Sequence, residues 1–517
     1  MLFAKALLPT LLFSGSFVAC FGVDKQQGKA VSSAQKPNII YILADDLGYG
    51  DLGCYGQQRI ETPNIDKLAT SGMRFTQHYS GAPVCAPSRC VLLTGKHMGH
   101  SYIRGNDEWA ERGKVWDYRA MLADSVLEGQ RPLPADLVTF PQLLQKVGYT
   151  TGIVGKWGLG APNTNSTPLD KGFDFFFGYN CQRQAHTYYP VHLYKNRSRV
   201  YLANDTVAPG TKLEPGADPL DSRSYAKFTL KQYAGDLMFS ELSSFVNRSQ
   251  AKPFFVFWAT PIPHAALQAP QRWVDYYVKK FGDEKPYLGD KGYFPHRYPH
   301  AAYAAMISYL DEQVGLLVRQ LKDLGLYDNT LIIFTSDNGP TYNGGTDSPW
   351  FNSAGPFKSE FGWGKGFTHE GGFRVPMIAS WPGKIRAGST SEHVSAFWDV
   401  LPTLCEVSGS KVPGDTDGIS FLPELTGRRQ KAHPYLYWEF PETGGQQAVR
   451  MGKWKGIRQE IKKGNLKIAL YNLETDLQEL QDVSAKYPEI VRQMEQIMVK
   501  EHVPATQEIF RMKAIGD

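Results

Sequence analysis

The sequence lacks a large excess of charge of either sign. Its 56 Lys and Arg residues are nearly balanced by 51 Asp and Glu residues, which leaves a formal net charge of +5 over 517 residues. No run of Lys and Arg marks a basic patch, so we expect no nucleic-acid partner. Hydrophobic residues make up 42% of the chain, which suits a large buried core and argues against a disordered protein.

The sequence also has few cysteines, and after the N-terminus it has no apolar run of some 18 residues. We therefore expect no transmembrane segment beyond the first residues. No C-x-x-C pair suggests zinc, and the scattered positions do not form a disulfide framework. The six cysteines are Cys20, Cys54, Cys85, Cys90, Cys181 and Cys405.

The first twenty residues have the pattern of an export signal. Lys5 supplies a positive charge, and residues 6–18 form an apolar stretch that is too short to span a bilayer comfortably. Residues 17–20 are loosely similar to a bacterial lipoprotein cleavage site. We predict a signal peptide over residues 1–20 and an exported protein, periplasmic or secreted, with Cys20 as a candidate lipid anchor. The alternative is an ordinary signal peptide that is cut nearby and discards Cys20.

Short apolar runs that end in polar clusters indicate buried, mostly parallel strands. Helical patterns lie between them, at residues 140–147 and 303–324. The alternation predicts an α/β fold, in which helices sandwich a large mixed, mostly parallel sheet. Ligands of such sheets bind at the carboxyl ends of strands, and polar clusters follow each run. The runs are residues 38–44 before Asp45 and Asp46, 150–154 before Lys156, 254–258 before His264, and 331–335 before Asp337 and Asn338.

The sequence pattern changes from about residue 434 onwards. Residues 435–438 and 454–458 are typical of antiparallel strands, residues 470–473 follow, and an amphipathic helix is predicted over residues 488–500. We therefore predict a catalytic domain over residues 37–410 and a smaller C-terminal α+β subdomain over residues 430–517. The linker is expected near residues 409–418.

Residues 83–95 contain a cysteine directly before Pro-Ser-Arg and an apolar helical run. Because proline suits the first helical turn, Cys85 is expected at a helix N-terminus, where the dipole and free N–H groups favour an anion. Spacing alone would fit a buried structural cysteine equally well.

The segment from Cys85 to Gly95 matches C-x-P-S-R-x-x-x-L-T-G and resembles the signature of the formylglycine-dependent (type I) sulfatases of the alkaline-phosphatase superfamily. The resemblance extends from Pro37 to the C-terminal helix. It implies an alkaline-phosphatase-like fold, sulfuric ester hydrolysis and oxidation of Cys85 to formylglycine, whose hydrate is the nucleophile. It also implies a partner that makes this modification, either a formylglycine-generating enzyme or an anaerobic sulfatase-maturating enzyme.

The same resemblance implies a metal site. Asp45, Asp46, Asp337 and Asn338 match the family's metal ligands, and three carboxylates with an amide oxygen suit Ca²⁺, with Mg²⁺ as the alternative to it, rather than zinc. Taken singly, Asp-Asp after a strand would fit a helix cap and Asp-Asn-Gly a turn.

Four further residues match catalytic positions of the family: Arg89, Lys156, His264 and Lys365. In the implied mechanism, the metal ion and the side chains of Arg89, Lys156 and Lys365 neutralise the sulfate oxygens. One hydroxyl of the hydrate attacks sulfur, with Asp337 accepting its proton. His264, assisted by Lys365, protonates the leaving sugar oxygen, and deprotonation of the second hydroxyl expels sulfate.

One position departs from the family pattern. The family usually has a histidine two residues after the signature lysine, and here that residue is Gly158. Its role as a base in sulfate expulsion must then be supplied elsewhere. His100, and less so His97, are candidates just beyond the signature helix; alternatively, both only shape the substrate pocket.

The substrate is predicted from resemblance to exported bacterial carbohydrate sulfatases. This resemblance is found in residues 99–106 and in the polar, aromatic segment 178–194. We predict substrate contacts by His100, Arg104 and His186, and a sulfated galactose or N-acetylgalactosamine unit of a glycan as the substrate. The alternatives are a phosphoester hydrolase of the same superfamily and a non-catalytic protein that binds sulfated glycans.

Overall fold

The computed structural model describes Leu12 and residues 36–517, so the predicted signal peptide and Cys20 lie outside the described residues apart from Leu12. The strands are β1 (Asn38–Ala44), β2 (Met73–Tyr79), β3 (Thr150–Lys156), β4 (Phe175–Tyr179), β5 (His192–Lys195), β6 (Ser198–Tyr201), β7 (Phe254–Ala259), β8 (Thr330–Ser336), β9 (Arg374–Ser380), β10 (Ser389–Ser391), β11 (Ser395–Ala396), β12 (Leu436–Phe440), β13 (Gln446–Met451), β14 (Trp454–Gln459) and β15 (Ile468–Asn472). The α-helices are α1 (Pro63–Thr70), α2 (Cys85–Thr94), α3 (Tyr118–Ala123), α4 (Phe140–Lys146), α5 (Ala234–Arg248), α6 (Gln271–Phe281), α7 (Pro299–Asp323), α8 (Ser348–Phe351), α9 (Glu370–Phe373), α10 (Val400–Ser408), α11 (Leu422–Leu425) and α12 (Pro488–Glu501).

The larger sheet is mixed and has eleven strands within the described residues. Its order is β10-β2-β9-β8-β1-β7-β3-β4-β5-β6, with β11 beside β2. The five central strands, β8, β1, β7, β3 and β4, are parallel to one another. Strand β9 on one side and β5 on the other pair with them in antiparallel fashion. The predicted α/β fold class is therefore confirmed.

Both faces of the sheet are covered by helices. Because successive side chains of a strand point to opposite faces, Ile39, Tyr41 and Leu43 of β1 pack in one hydrophobic cluster with residues of α2, α4 and α10. Ile40 and Ile42 pack in a second cluster with α5, α6 and α7. This double burial explains why β1 is a continuous apolar run rather than an alternating one.

The parallel strands bring the polar residues that follow them to one edge of the sheet. Leu43 of β1 lies in register with Ala259 of β7 and with Thr335 of β8. The chain therefore leaves these strands side by side, and Asp45 and Asp337 emerge at the same level. Asp337 donates its backbone N–H to the carbonyl oxygen of Ala44 at 3.0 Å, which fixes this alignment.

The C-terminal part of the chain forms a second, antiparallel sheet of strands β12, β13, β14 and β15. Helix α12 packs on it through Met494 and Met498, which contact Tyr437, Val449 and Leu470. The predicted antiparallel strands and C-terminal helix are present, and α12 begins at the predicted residue, Pro488. Residues 36–517 form one compact unit, so the predicted boundaries at residues 410 and 430 remain a prediction.

A buried ionic cluster joins the two sheets. Lys455 of β14 is fully buried, and its Nζ donates to Glu370 Oε1 at 2.8 Å and to Glu479 Oε1 at 3.2 Å. Glu370 also accepts from the hydroxyl of Tyr79 at 2.7 Å and from Arg374 at 3.0 Å. Burial alone would raise the pKa of Glu370, but Lys455 and Arg374 outweigh it and lower that pKa. The carboxylate is therefore charged and fixed between the sheets.

Among the helices of residues 36–517, none is long and apolar enough to cross a membrane.

Removal of Lys455 should destabilise the protein strongly. Lys455→Met would leave Glu370 and Glu479 buried without their shared cation, which typically costs about 3–5 kcal/mol. We expect a clear fall in the midpoint of thermal unfolding, measured by circular dichroism or scanning calorimetry. The matched control is Lys453→Met, because Lys453 pairs at the surface with Glu474 at 3.3 Å and such pairs contribute about 0–1 kcal/mol. Equal midpoints for the two variants would contradict the structural role of Lys455.

Candidate active site

Cys85 is the first residue of α2 and lies at the carboxyl edge of the sheet. Its side chain is 2% exposed. The Sγ atom lies 3.6 Å from Asp45 Oδ1 and 3.6 Å from Lys365 Nζ. Burial, with a smaller contribution from Asp45, raises the pKa of the Cys85 thiol to about 12. An unmodified thiol here stays protonated at neutral pH and is therefore a poor nucleophile.

Four oxygen-bearing side chains meet beside this cysteine. Asp45 and Asp46 follow β1, and Asp337 and Asn338 follow the neighbouring β8. Asn338 donates through Nδ2 to Asp46 Oδ1 at 2.7 Å, and the backbone N–H of Asp46 donates to Asp337 Oδ1 at 3.3 Å. Asn338 Oδ1 is buried and has no hydrogen-bond partner within the described chain. An orphaned amide oxygen beside three carboxylates fits the ligand preferences of a hard divalent cation.

The same region contains a wider group of potential ligands. Ligand atoms of Asp45, Asp46, Cys85 and His264 lie within 4.8 Å of one another. The predicted ligand set shares Asp45 and Asp46 with this group. Because Asn338 has an unpartnered oxygen, we favour Asp337 and Asn338 as the remaining metal ligands over Cys85 and His264.

Arg89 lies one helical turn beyond Cys85 and is fully buried. Its Nη2 donates to Asp45 Oδ2 at 3.1 Å and to Asp337 Oδ2 at 2.8 Å, while Nη1 donates to the backbone carbonyl of Lys156 at 2.7 Å. The ammonium of Lys156 also pairs with Asp45 Oδ2. Burial alone would raise the pKa of Asp45, but Lys156 and the other neighbouring cations lower it, so this carboxylate is charged.

Lys365 and His264 both lie beside Asp46. Lys365 Nζ pairs with Asp46 Oδ1 at 2.6 Å, and His264 Nε2 lies 3.7 Å from Asp46 Oδ2. The Nδ1 of His264 faces the carbonyl oxygen of Ala265. Burial and Lys365 lower the pKa of His264 well below its usual value, so its imidazole is neutral at neutral pH before an anion binds.

Comparison with known proteins places this geometry in a family. The model of the family described as Sulfatase matches residues 37–410, and that described as N-sulphoglucosamine sulphohydrolase, C-terminal, matches residues 359–503. The chain belongs to the sulfatase family. It is 31% identical over 451 residues to N-acetylgalactosamine-6-sulfatase of Canis lupus familiaris, an alignment that covers 84% of this chain and 75% of that protein. It is 34% identical over 450 residues to arylsulfatase A of Homo sapiens, covering 82% and 75%.

A solved structure supports the same assignment. The crystal structure of Ps i-CgsB in complex with k-i-k-neocarrahexaose superposes with a TM-score of 0.69 at 29% identity, and it covers 90% of this chain and 93% of that chain. The fold is therefore that of the alkaline-phosphatase superfamily, and the protein is a sulfuric ester hydrolase. Sulfatases in general use a formylglycine and a divalent metal, and Cys85 with the neighbouring carboxylates stands where this chain would provide both.

The position of the missing sulfatase histidine is filled by another side chain. Gly158 has a positive φ of 74°, and a Cβ atom there would lie 2.7 Å from Gln182 Cγ and 2.8 Å from Gln182 Nε2. Gln182 Nε2 also lies 3.5 Å from the carbonyl oxygen of Gly158. No motif in the sequence marks Gln182. Its only sequence signal is the glycine that leaves room for it.

Of the three predicted substrate contacts, His186 is the one that the structure brings to the site. Its ring stacks on that of His264, with centroids 5.3 Å apart and planes inclined by 11°. Tyr293, which sequence reasoning missed, packs edge-on against both rings, at 5.1 Å from His186 and 5.6 Å from His264. Burial and His264 lower the pKa of His186 well below its usual value, so this ring is also neutral at neutral pH.

His100 and Arg104 are not brought together with Cys85. His100 Nδ1 contacts Asp417 at 3.0 Å, and its ring stacks on His97 beyond the far end of α2. Since ten helical residues span about 15 Å, this end is remote from the nucleophile. The guanidinium of Arg104 pairs with Glu439 and donates to two backbone carbonyls. The structure thus argues against both predicted substrate contacts and against His100 as the missing base.

A side chain at Gly158 should destabilise the protein through two separate effects. Gly158→Ala forces a non-glycine residue to a positive φ, which costs about 1 kcal/mol, and it places Cβ against Gln182, which adds roughly 1–3 kcal/mol. We expect a lower midpoint of thermal unfolding. Gly148→Ala is the matched control, because Gly148 has a φ of 92° and a Cβ atom there would lie in open space, with nothing within 4 Å.

The double variant Gly158→Ala with Gln182→Ala separates the two effects. It should recover the part of the loss that comes from the contact with Gln182. Equal decreases in the unfolding midpoint for Gly158→Ala and Gly148→Ala would contradict the close packing of Gln182 against Gly158.

Proposed function

We propose that this sulfatase hydrolyses O-sulfate esters of carbohydrates, and that the sulfated sugar is a galactose or N-acetylgalactosamine unit of a glycan. The observation that carries the proposal is the surroundings of Cys85, whose Sγ lies 3.6 Å from Asp45 Oδ1 and 3.6 Å from Lys365 Nζ. The similarity to N-acetylgalactosamine-6-sulfatase and to a protein crystallised with a neocarrahexaose supports the choice of sugar.

The side-chain charges of the site balance one another, so a metal cation is needed to make the site attractive to an anionic ester. Arg89, Lys156 and Lys365 balance the three carboxylates of Asp45, Asp46 and Asp337. With these three aspartates and Asn338 as ligands, a calcium ion would fit the oxygen donors, with magnesium as the alternative. When bound, the ion would add positive charge to the site and polarise an oxygen of the sulfate ester.

We assign a proposed role to each remaining residue of the site. Arg89 and Lys156 would neutralise sulfate oxygens, and Lys365 would hold both the nucleophile and the ester. Formylglycine made from Cys85 would supply the attacking oxygen, with Asp337 as the acceptor of its proton. His264 would protonate the leaving sugar oxygen, because an anionic ester beside its ring favours the protonated imidazole.

Maturation and location are parts of the same proposal. Because Cys85 is almost fully buried in the folded chain, an enzyme that oxidises it, either a formylglycine-generating or an anaerobic sulfatase-maturating enzyme, would act before α2 packs. We propose export to the periplasm or the medium, with Cys20 as a candidate lipid anchor. Mass analysis of the mature N-terminus would decide between a lipidated Cys20 and cleavage beyond it.

The decisive experiment measures sulfate release from a panel of sulfated galactose and N-acetylgalactosamine isomers. We expect release from at least one isomer by the wild type and none by Cys85→Ala. Mass analysis of the peptide that contains Cys85 should show conversion of the thiol to the aldehyde in active preparations.

The control for this experiment is Cys90→Ala, because Cys90 is a buried cysteine of the same helix whose Sγ accepts a hydrogen bond from Ser101 Oγ at 3.4 Å. It should retain activity. An aryl phosphate hydrolysed faster than the matching aryl sulfate would favour a phosphoester hydrolase. Full sulfatase activity with a wholly unmodified Cys85 would refute the role of formylglycine.

Loss of the Asn338 oxygen should weaken metal binding. Asn338→Leu removes the buried oxygen at similar size, and we expect its affinity for Ca²⁺ to fall by about tenfold or more. The affinity can be measured by calorimetry on chelated protein and by titrating activity with Ca²⁺. Asn338→Asp keeps an oxygen ligand and is the matched variant, which should bind the ion. Restoration of the chelated enzyme by zinc but not by calcium or magnesium would contradict the ligand assignment.

A further inference from the structure

A cavity of about 290 Å³ lies close to His264 and is separated from it by one layer of side chains. Two of its wall residues, His186 and Tyr293, are the residues that pack against His264. The cavity therefore begins one side chain away from the group that would face the leaving sugar oxygen. Its volume is at the lower limit of small-molecule sites, which is roughly 300 Å³.

The outer wall of the cavity is an exposed tryptophan. Trp116 lies in the loop before α3 and is 69% exposed, although an indole is among the side chains with most to gain from burial. The guanidinium carbon of Arg183 lies 5.6 Å from the centroid of its ring, which holds the indole in place. The guanidinium of Arg183 therefore lies over one face of the indole, while most of the Trp116 side chain remains exposed to solvent.

The polar groups of the cavity suit hydroxyls rather than a second anion. Arg183 is buried, pairs with Glu108 and donates through Nη2 to the carbonyl of Leu127 at 2.9 Å. Glu108 thus neutralises the guanidinium. The other wall residues are mainly apolar or aromatic.

We propose that this cavity binds the saccharide unit next to the sulfated one, with Trp116 stacking on its ring. A sugar ring has an apolar C–H face and a rim of hydroxyls, which matches an indole beside a neutralised Arg183 and a neutral His186. The inference rests on the proposed carbohydrate sulfatase activity. It adds that the protein discriminates by chain length, so that a sulfated disaccharide or longer glycan is a better substrate than the sulfated monosaccharide.

The test compares two substrates with the same sulfated terminal sugar, one a monosaccharide and the other a disaccharide. In the wild type, kcat/KM should be higher for the disaccharide. Trp116→Ala should lower kcat/KM for the disaccharide by about tenfold, which is the size of an aromatic stacking contact, and leave the monosaccharide unchanged. Trp116→Phe should restore part of the preference. Tyr201→Ala is the matched control, because Tyr201 is an aromatic residue exposed to 67% outside the cavity.

The outcomes separate this inference from the proposed function. Sulfate release from the monosaccharide with no gain for the disaccharide would overturn the subsite and leave the carbohydrate sulfatase intact. Equal loss on both substrates in Trp116→Ala would show a structural role for the tryptophan and would also overturn it. A gain confined to disaccharides that carry a second sulfate would assign the cavity to an anion instead. Failure to release sulfate from any sugar would remove both proposals.

Discussion

The active centre depends on burying three carboxylates with Arg89 and Lys156, beside the partly buried Lys365, so that each charge has a partner. A buried ion without its partner costs several kcal/mol, and Arg89 meets this constraint by contacting Asp45 and Asp337 at once. Such contacts require strands that do not move relative to each other. Strands β1 and β8 are adjacent and in register at their carboxyl ends, so the sheet supplies the fixed geometry that the charges need.

The second sheet supports the one cation that does not come from the sheet edge or from α2. Lys365 lies in the segment before α9, and Gln446 of β13 holds that segment: its Nε2 donates to the carbonyl of Gly366 at 2.9 Å, and its Oε1 accepts from the N–H of Thr368 at 3.0 Å. Lys455 then fixes Glu370 at the start of α9. The C-terminal part of the chain is therefore a positioning element of the site, in keeping with a family model that begins at residue 359.

The parts of the site that follow strands could be predicted from the sequence, and the parts in loops could not. An apolar run that ends in Asp45 or Asp337 predicts both a strand and the edge where its polar residues emerge. His100 is close to Cys85 in sequence, but α2 carries the chain away from the nucleophile before His100 is reached. Trp116 and Tyr293 lie in loops without periodicity. Only the folded chain packs Tyr293 against His264 and brings Trp116 to the same cavity as Tyr293.

The glycine at position 158 changes how the site can handle protons. With Gln182 in the space beside Gly158, protonation of the proposed leaving oxygen would depend on His264, whose ring stacks 5.3 Å from that of His186. Two like charges at that distance disfavour each other, so the pair carries at most one proton in excess of its neutral form. As the acid proposed above, His264 would be charged only when an anionic ester shifts this pair towards protonation, and His186 would limit that charge.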